Sequence, residues 1–203
     1  MLRNEPVQAR STARLASLLD AAAAIIDEIG YERLTTAMVA ERAGASIGTV
    51  YRYFPDRIVV LQSLSARSLG GFVEATRARI LDPVHLTWWD ALADCLDAMT
   101  TAFRSLPGYR SLRLGDVLDV RPALSAQSGS SVVAAAAAAA LVERFGLPEE
   151  DLEHRLEVVI VIADALLGRA FTYDPQGDAR LIGEAMTMSR AYLTWFYGDP
   201  TEA

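Results

Sequence analysis

Apolar residues recur along the first part of the chain with the period of an α-helix. Leu15, Leu18, Leu19, Ala22, Ile25, Ile26 and Ile29 stand at i, i+3, i+4, i+7, i+10, i+11 and i+14, one helical face. Gly30 closes it, because glycine accepts the left-handed backbone of a C-cap. Two short helices are expected next, over residues 36–43 and 46–54, with Gly44 between them. Thr36 and Ser46 are their expected N-caps.

Pro55 and Asp56 interrupt and restart the chain, with Asp56 as the next N-cap. A long helix is expected over 57–81. It contains Gly70-Gly71, each costing about 1 kcal/mol against alanine. Pro83 separates it from a helix over 86–105, whose apolar face carries Trp89, Leu92, Ala93, Leu96, Met99 and Phe103. Pro107-Gly108 is a break, 109–118 a short helix or turn, and 121–131 a mobile loop. An alanine-rich helix follows over 131–145, ended by Gly146. Pro148 then reads as a helix start, with Glu149, Glu150 and Asp151 in its first turn. That helix is expected to reach Phe171, and the last one to run over 178–197. No strand and no internal repeat is evident, so the fold class is all-α.

The length of 203 residues suits one or two domains, and 52% hydrophobic with 22% charged residues is a globular composition. Cys95 is the single cysteine. An internal disulfide is impossible, and a cytoplasmic location is expected. The longest uncharged apolar run, 132–142, is well short of the roughly 20 residues of a membrane span. Asn4, Glu5 and Gln8 also argue against a signal peptide. All 19 basic residues are arginine, which excludes Schiff-base lysines and Walker A loops. Residues 1–60 are neutral overall, whereas the remainder carries the whole net charge of −7. Such a chain is no general nucleic-acid coat, but a local surface can still bind DNA.

That surface is legible in residues 34–57, LTTAMVAERAGASIGTVYRYFPDR. A helix-turn-helix needs a small residue in its first helix, a glycine at the turn four positions on, and a buried apolar residue six beyond that. Ala40, Gly44 and Val50 meet all three requirements. At about 100° per residue from Val50, the side of the helix carrying Gly48, Thr49 and Arg52 turns away from the core. Arginine there can pair with guanine in a major groove, and glycine admits close backbone approach. Thr36 and Ser46 at helix N-termini suit phosphates, and Tyr51 and Tyr53 can donate hydroxyls to them. Arg3, Arg10 and Arg14 either form a DNA-reaching arm or are simply solvated.

The chain here resembles the TetR family of bacterial one-component repressors, most closely over about residues 13–61. The resemblance is carried by Leu34-Thr35-Thr36, Ala40, Gly44, Ser46, Gly48, Thr49, Tyr51, Tyr53 and Phe54. It implies a three-helix DNA-binding domain over 1–56, with an arm of about ten residues. A six-helix ligand-binding and dimerisation domain is implied over 57–203. It implies DNA contacts from Thr36, Ser46, Ile47, Gly48, Thr49, Tyr51, Arg52 and Tyr53, with Arg57 holding a phosphate where many members carry lysine. Ala37 departs from the arginine of some members and makes no base contact. Ile47 stands at an often polar, base-facing position. It either meets an apolar group such as a thymine methyl or extends the core.

The function this implies is a repressor, homodimeric through its last two helices, released from a palindromic operator by a small apolar or aromatic effector. Candidate effector residues are Trp89, Leu92, Leu96, Met99 and Phe103, with Tyr109 and Asp116 as polar handles. Small alanines opposite these large side chains can leave a cavity. His85 and His154 lack metal-ligand spacing, and Cys95 reads as inert core. No metal, cofactor or catalytic residue is expected. The alternatives are an enzyme using a similar helical pocket, for which no nucleophile–base pair is visible, and a DNA-binding scaffold without effector.

Overall fold

The first apolar stripe sits on a helix longer than its periodicity requires. In the computed structural model, which describes residues 7–114 and 127–200, α1 spans Val7–Ile29. The arm expected over 1–10 is thus helical from Val7 onward. No glycine or proline stands between Val7 and Ile29, and Ala9, Arg10 and Ala13 are strong helix formers. Residues 1–6, Asp116 and positions 121–126 of the expected loop lie outside the described residues.

A 3-10 turn over Tyr31–Arg33 leads into α2, Thr36–Arg42, and α3, Ile47–Tyr53. The cap of α2 is Thr35 rather than Thr36: its hydroxyl accepts from the Met38 N–H at 3.2 Å. Leu34 explains the shift, because its burial pulls the chain inward and leaves Thr35 in the extended backbone of an N-cap. Ser46 caps α3 as expected, accepting from the Thr49 N–H at 3.1 Å. Asp56 caps α4, Arg57–Leu81, accepting from the Val59 N–H at 2.9 Å.

The described residues form two compact units. The first holds 7–67 and 107–114. The expected boundary at 56/57 follows the motif, whereas packing takes the start of α4 and a later segment into the first unit. That segment carries α6, Tyr109–Leu112. Leu112 enters the core of α1, α2 and α3, and the Gly108 N–H donates to Asp27 Oδ1 at 3.3 Å. Gly108 has φ +76°, and a Cβ there would stand 3.2 Å from the Ala23 carbonyl oxygen. Both observations require glycine.

The second unit holds 68–106 and 127–200. α5 spans Trp88–Ser105 and starts two residues later than expected. A capping box sets this: Thr87 Oγ1 accepts from the Asp90 N–H, and the Asp90 carboxylate accepts from the Thr87 N–H. α7 spans Gly129–Phe145 behind an Ser128 cap, and Gly146 ends it at φ +66°. α8 spans Leu152–Ala170, so Pro148 does not open it. The helix waits for Leu152, which is buried with Leu156 and Val159. α9 spans Ala179–Tyr197. α8 packs on both α7 and α9. Gly70 and Gly71 in α4 are exposed, with no atom within 4 Å of where a Cβ would stand.

Every element among the described residues is helical, and none of these helices is long and apolar enough to cross a membrane. Thr35→Ala is expected to lower stability by about 0.5–2 kcal/mol in denaturant unfolding, with Thr36→Ala costing clearly less. Equal losses would put the cap back at Thr36.

Candidate nucleic-acid interface

Seven residues make α3, one helix of about 10 Å, too short to persist alone in water. Its position comes from burial. Val50 and the following Phe54 join Val39 and Ala40 of α2 and the α1 stripe in one core. Gly44 takes φ +57° at the turn, and the Ala45 N–H donates to the Ala40 carbonyl at 2.9 Å, closing α2 against the entry to α3. The small residue, glycine and buried valine thus do what their spacing predicts.

With Val50 inward, the rest of α3 is presented outward. Ile47 is 43% exposed and Tyr51 53%, and Gly48 and Arg52 are exposed too, while Thr49 is half-buried. The exposure of Ile47 decides against its being core. No acid stands anywhere in α3. The face can therefore offer a guanidinium, hydroxyls, a bare backbone and one apolar side chain to a polyanion, with no charge repelling it.

The flanking hydroxyls are held in place. Thr36 Oγ1 lies 3.5 Å from Tyr51 Oη, tying the starts of the two faces together. Ser46 Oγ lies 2.9 Å from Thr49 Oγ1 while it caps the helix. Tyr53 is half-buried and bonds through its hydroxyl to Ser11 Oγ at 3.1 Å, and the Arg52 guanidinium carbon sits 5.3 Å from its ring centre. The Ser11 bond draws the Tyr53 pKa below its ordinary value against a smaller rise from burial, and the Arg52 and Arg14 charges add to the lowering. Arg57 Nη1 donates to the Glu32 carbonyl at 2.6 Å, which fixes the start of α4 against the 3-10 turn. Ser11 escaped the sequence reading, although it falls four residues before Leu15 and so extends the α1 stripe by one turn.

The candidate effector residues divide. Leu92, Leu96, Met99 and Phe103 of α5 are buried in the second unit, and Phe103 stacks on Phe171 with ring centres 5.6 Å apart. Trp89 does not share their burial. It lines an open groove of about 820 Å³ with Met186, Arg190, Ala191, Thr194 and Trp195 of α9. Trp88 takes the core position instead, edge-on to Trp89. Tyr109 belongs to the first unit, in α6. Cys95 is part-buried with its thiol donating to the Thr76 carbonyl, and burial pushes its pKa up to about 12. Such a thiol does not form the reactive thiolate near neutral pH. His85 Nε2 lies 3.5 Å from Asp94. Among the described residues no group of three His, Cys, Asp or Glu could hold a metal ion.

α2 is held to α1 by a paired contact, Arg42 Nη1 and Nη2 donating to the two Glu28 carboxylate oxygens at 2.8 and 2.7 Å. The Arg42 hydrogen bond holds the Glu28 pKa below its ordinary 4.5. The bridge therefore stabilises the fold above that value and loses its effect as pH falls through the lower folded pKa. Glu28→Gln is expected to lower the melting temperature at neutral pH, with the gap to wild type closing on acidification. A gap that persists in acid would show that the bridge is not its source.

The N-terminal region, residues 18–63, matches the family model described as "Bacterial regulatory proteins, tetR family", and residues 86–197 match the "Tetracyclin repressor-like, C-terminal domain". The chain is similar to the HTH-type transcriptional repressor KstR of Rhodococcus jostii, with 46% identity over 50 residues. That match covers 25% of this chain and 24% of KstR. Similarity to the fatty acid metabolism regulator protein of Bacillus subtilis is 37% over 57 residues, 28% of this chain and 29% of that protein. The matches span about a quarter of the length of these curated relatives. A TetR-family transcriptional regulator from Streptomyces coelicolor matches in structure with TM-score 0.75 and 32% identity, over 90% of this chain and 98% of that one. With both of its regions matched by the family's models and nearly the whole fold shared with that regulator, this chain belongs to the TetR family of bacterial regulatory proteins.

Proposed function

We propose that the protein is a homodimeric transcriptional repressor that leaves its operator when it binds a small apolar or aromatic molecule. The observation that carries this reading is the outward, acid-free face of α3. Ile47, Gly48, Tyr51 and Arg52 stand exposed there over a fully buried Val50. Arg52 is assigned to a base edge and Ile47 to an apolar group such as a thymine methyl. Thr36, Ser46, Thr49, Tyr51, Tyr53 and Arg57 are assigned to the backbone, where hydroxyls and a guanidinium position the helix without reading sequence.

Dimerisation through α8 and α9 is supported by what these helices leave uncovered. Val161 is 51% exposed, Met188 47% and Trp195 84%. Ala165 and Ala191 are exposed as well. Ala163, Leu167, Ala185 and Leu193 instead fill the core of their own unit. The apolar stripe expected to meet a partner is therefore partly spent inside the protomer, and the outward residues are the proposed contact. Two recognition helices related by a twofold axis match half-sites roughly 34–36 Å apart or a multiple of that. The effector is assigned to the α5 side chains Leu92, Leu96, Met99 and Phe103. Leu92 shares its core with Ala134, Ala137 and Ala140 of α7, and such small side chains leave room beside large ones. Effector and operator then weaken each other by linkage.

Mobility shift on the DNA upstream of its own gene tests the reading, with a pseudo-palindromic site as the expected target. Arg52→Ala is expected to cost about 1–3 kcal/mol on that site and to relax the base preference at one position of each half-site. An equal loss on every sequence would remove the base-reading role. Absence of any sequence-selective shift would overturn the repressor reading.

Val161→Arg with Met188→Arg is expected to give folded monomers that no longer hold the operator, seen by sedimentation. Leu167→Arg or Leu193→Arg would instead unfold the second unit, each residue being 1% exposed. A wild type that sediments as a monomer at micromolar concentration would defeat the dimer.

A further inference from the structure

Phe103, one of the effector residues assigned above, has its ring covered by Phe171, the residue that ends α8. The two rings stack with their planes 15° apart and their centres 5.6 Å apart. Both are buried. A near-parallel stack at this spacing is also what a flat aromatic ligand makes with a phenylalanine wall. Phe171 therefore fills the place that such a ligand would take on Phe103.

The two rings are held differently. Phe103 stands within α5, on one face with Leu92, Leu96 and Met99. Phe171 stands where α8 gives way to the loop 172–178, and residues 172–176 of that loop are all exposed. The loop is folded onto Phe171. Gly177 has φ +84°, and a Cβ there would stand 2.7 Å from Phe171 Cζ and 2.9 Å from Ile182 Cδ1. Bare backbone thus lies on the ring edge, where no side chain fits. From α5, Arg104 donates through Nε and Nη2 to the Gln176 carbonyl at 3.4 and 3.1 Å. Its guanidinium carbon lies 5.9 Å from the Phe171 ring centre. The Asp178 N–H donates to the Ala170 carbonyl at 3.1 Å and closes the loop at its base. Moving Phe171 off Phe103 therefore moves this loop. The Arg104 bonds that must be released lie at an exposed residue, where water replaces them at modest cost.

We propose that Phe171 is a displaceable plug of the effector site: a planar aromatic effector takes its place on Phe103, and the loop over 172–177 opens to let it in. All of these residues lie in the second unit. The inference rests on the effector reading above and narrows the effector to a molecule with a flat aromatic ring. An aliphatic chain gains no ring stack in exchange for the one it breaks. Phe171 and the effector compete for Phe103, so the apparent affinity is the intrinsic one reduced by the fraction of protein with the plug out.

The test is uptake of the neutral aromatic fluorophore phenylnaphthylamine by the full-length protein. Phe171→Leu keeps an apolar side chain but removes the competing ring, and is expected to tighten binding by roughly two- to tenfold, the worth of such a stack. Phe103→Leu removes the wall and is expected to weaken binding by a similar factor. Arg104→Gln leaves both rings in place and is expected to speed association in stopped flow; an unchanged rate would overturn the loop as the way in. A merely structural stack would lower the melting temperature of both leucine variants and move their affinities in the same direction. Phe171→Leu binding no tighter than wild type, while Phe103→Leu binds more weakly, overturns the plug and leaves the effector site standing. No uptake by either wild type or Phe171→Leu, or uptake indifferent to Phe103→Leu, overturns the effector site and the plug together.

Discussion

Two helices of seven residues each cannot hold themselves, and the proposed interface depends on what holds them. The constraint is the single core in which Val39, Ala40, Val50 and Phe54 meet the α1 stripe. Burial of that set fixes which side of α3 faces outward. The caps and the turn then follow, since Thr35, Gly44 and Ser46 only satisfy backbone groups whose places the core has set. α1 is thus a support on which the outward face is mounted. Its own length, 23 residues, gives it a stability that α2 and α3 lack.

The acids of α1 are used to hold the first unit together. Asp20 takes Arg67, Asp27 takes the Gly108 N–H, and Glu28 takes both Arg42 nitrogens. All three stand in the second half of the helix. Exposed pairs of this kind contribute little singly, but their placement separates charge. Asp20 and Glu28 in the C-terminal half of α1 are paired with guanidinium groups, and the helix from Val7 to Leu19 carries no acid. A chain of net charge −7 thus keeps its acids off α3 and off the first half of α1.

The second unit is organised by size rather than charge. The alanines of α7 let α8 approach it closely, and Trp88 of α5, Leu141 and Leu156 share one core with Ala134, Ala137 and Ala140. Arg144 closes its edge by donating to the carbonyls of Leu81 and His85. Outside this core, among the charged residues of α8 and α9, Val161, Met188 and Trp195 stand exposed, and these are the residues proposed above for a partner.

By itself the sequence determined the helical class, the breaks at Gly30, Gly44 and Gly146, and the burial of Val50 with the outward placing of Gly48 and Arg52 on α3. These features follow from local rules. Helical period, capping chemistry and the left-handed backbone of glycine depend on neighbours a few positions away. What tertiary structure decided were matters of competition between distant groups. Thr35 and not Thr36 became the cap because Leu34 is buried. Trp88 and not Trp89 took the core because only one of two adjacent residues can face it. Ile47, open to either reading by spacing, is exposed because the α1 stripe already fills the core beneath α3. α8 starts at Leu152 although Pro148 is a permitted first residue, because burial of Leu152 outweighs that local preference. The return of residues 107–114 to the first unit and the union of Ser11 with Tyr53 join residues far apart in sequence. No local pattern encodes such contacts, and only packing brings them together.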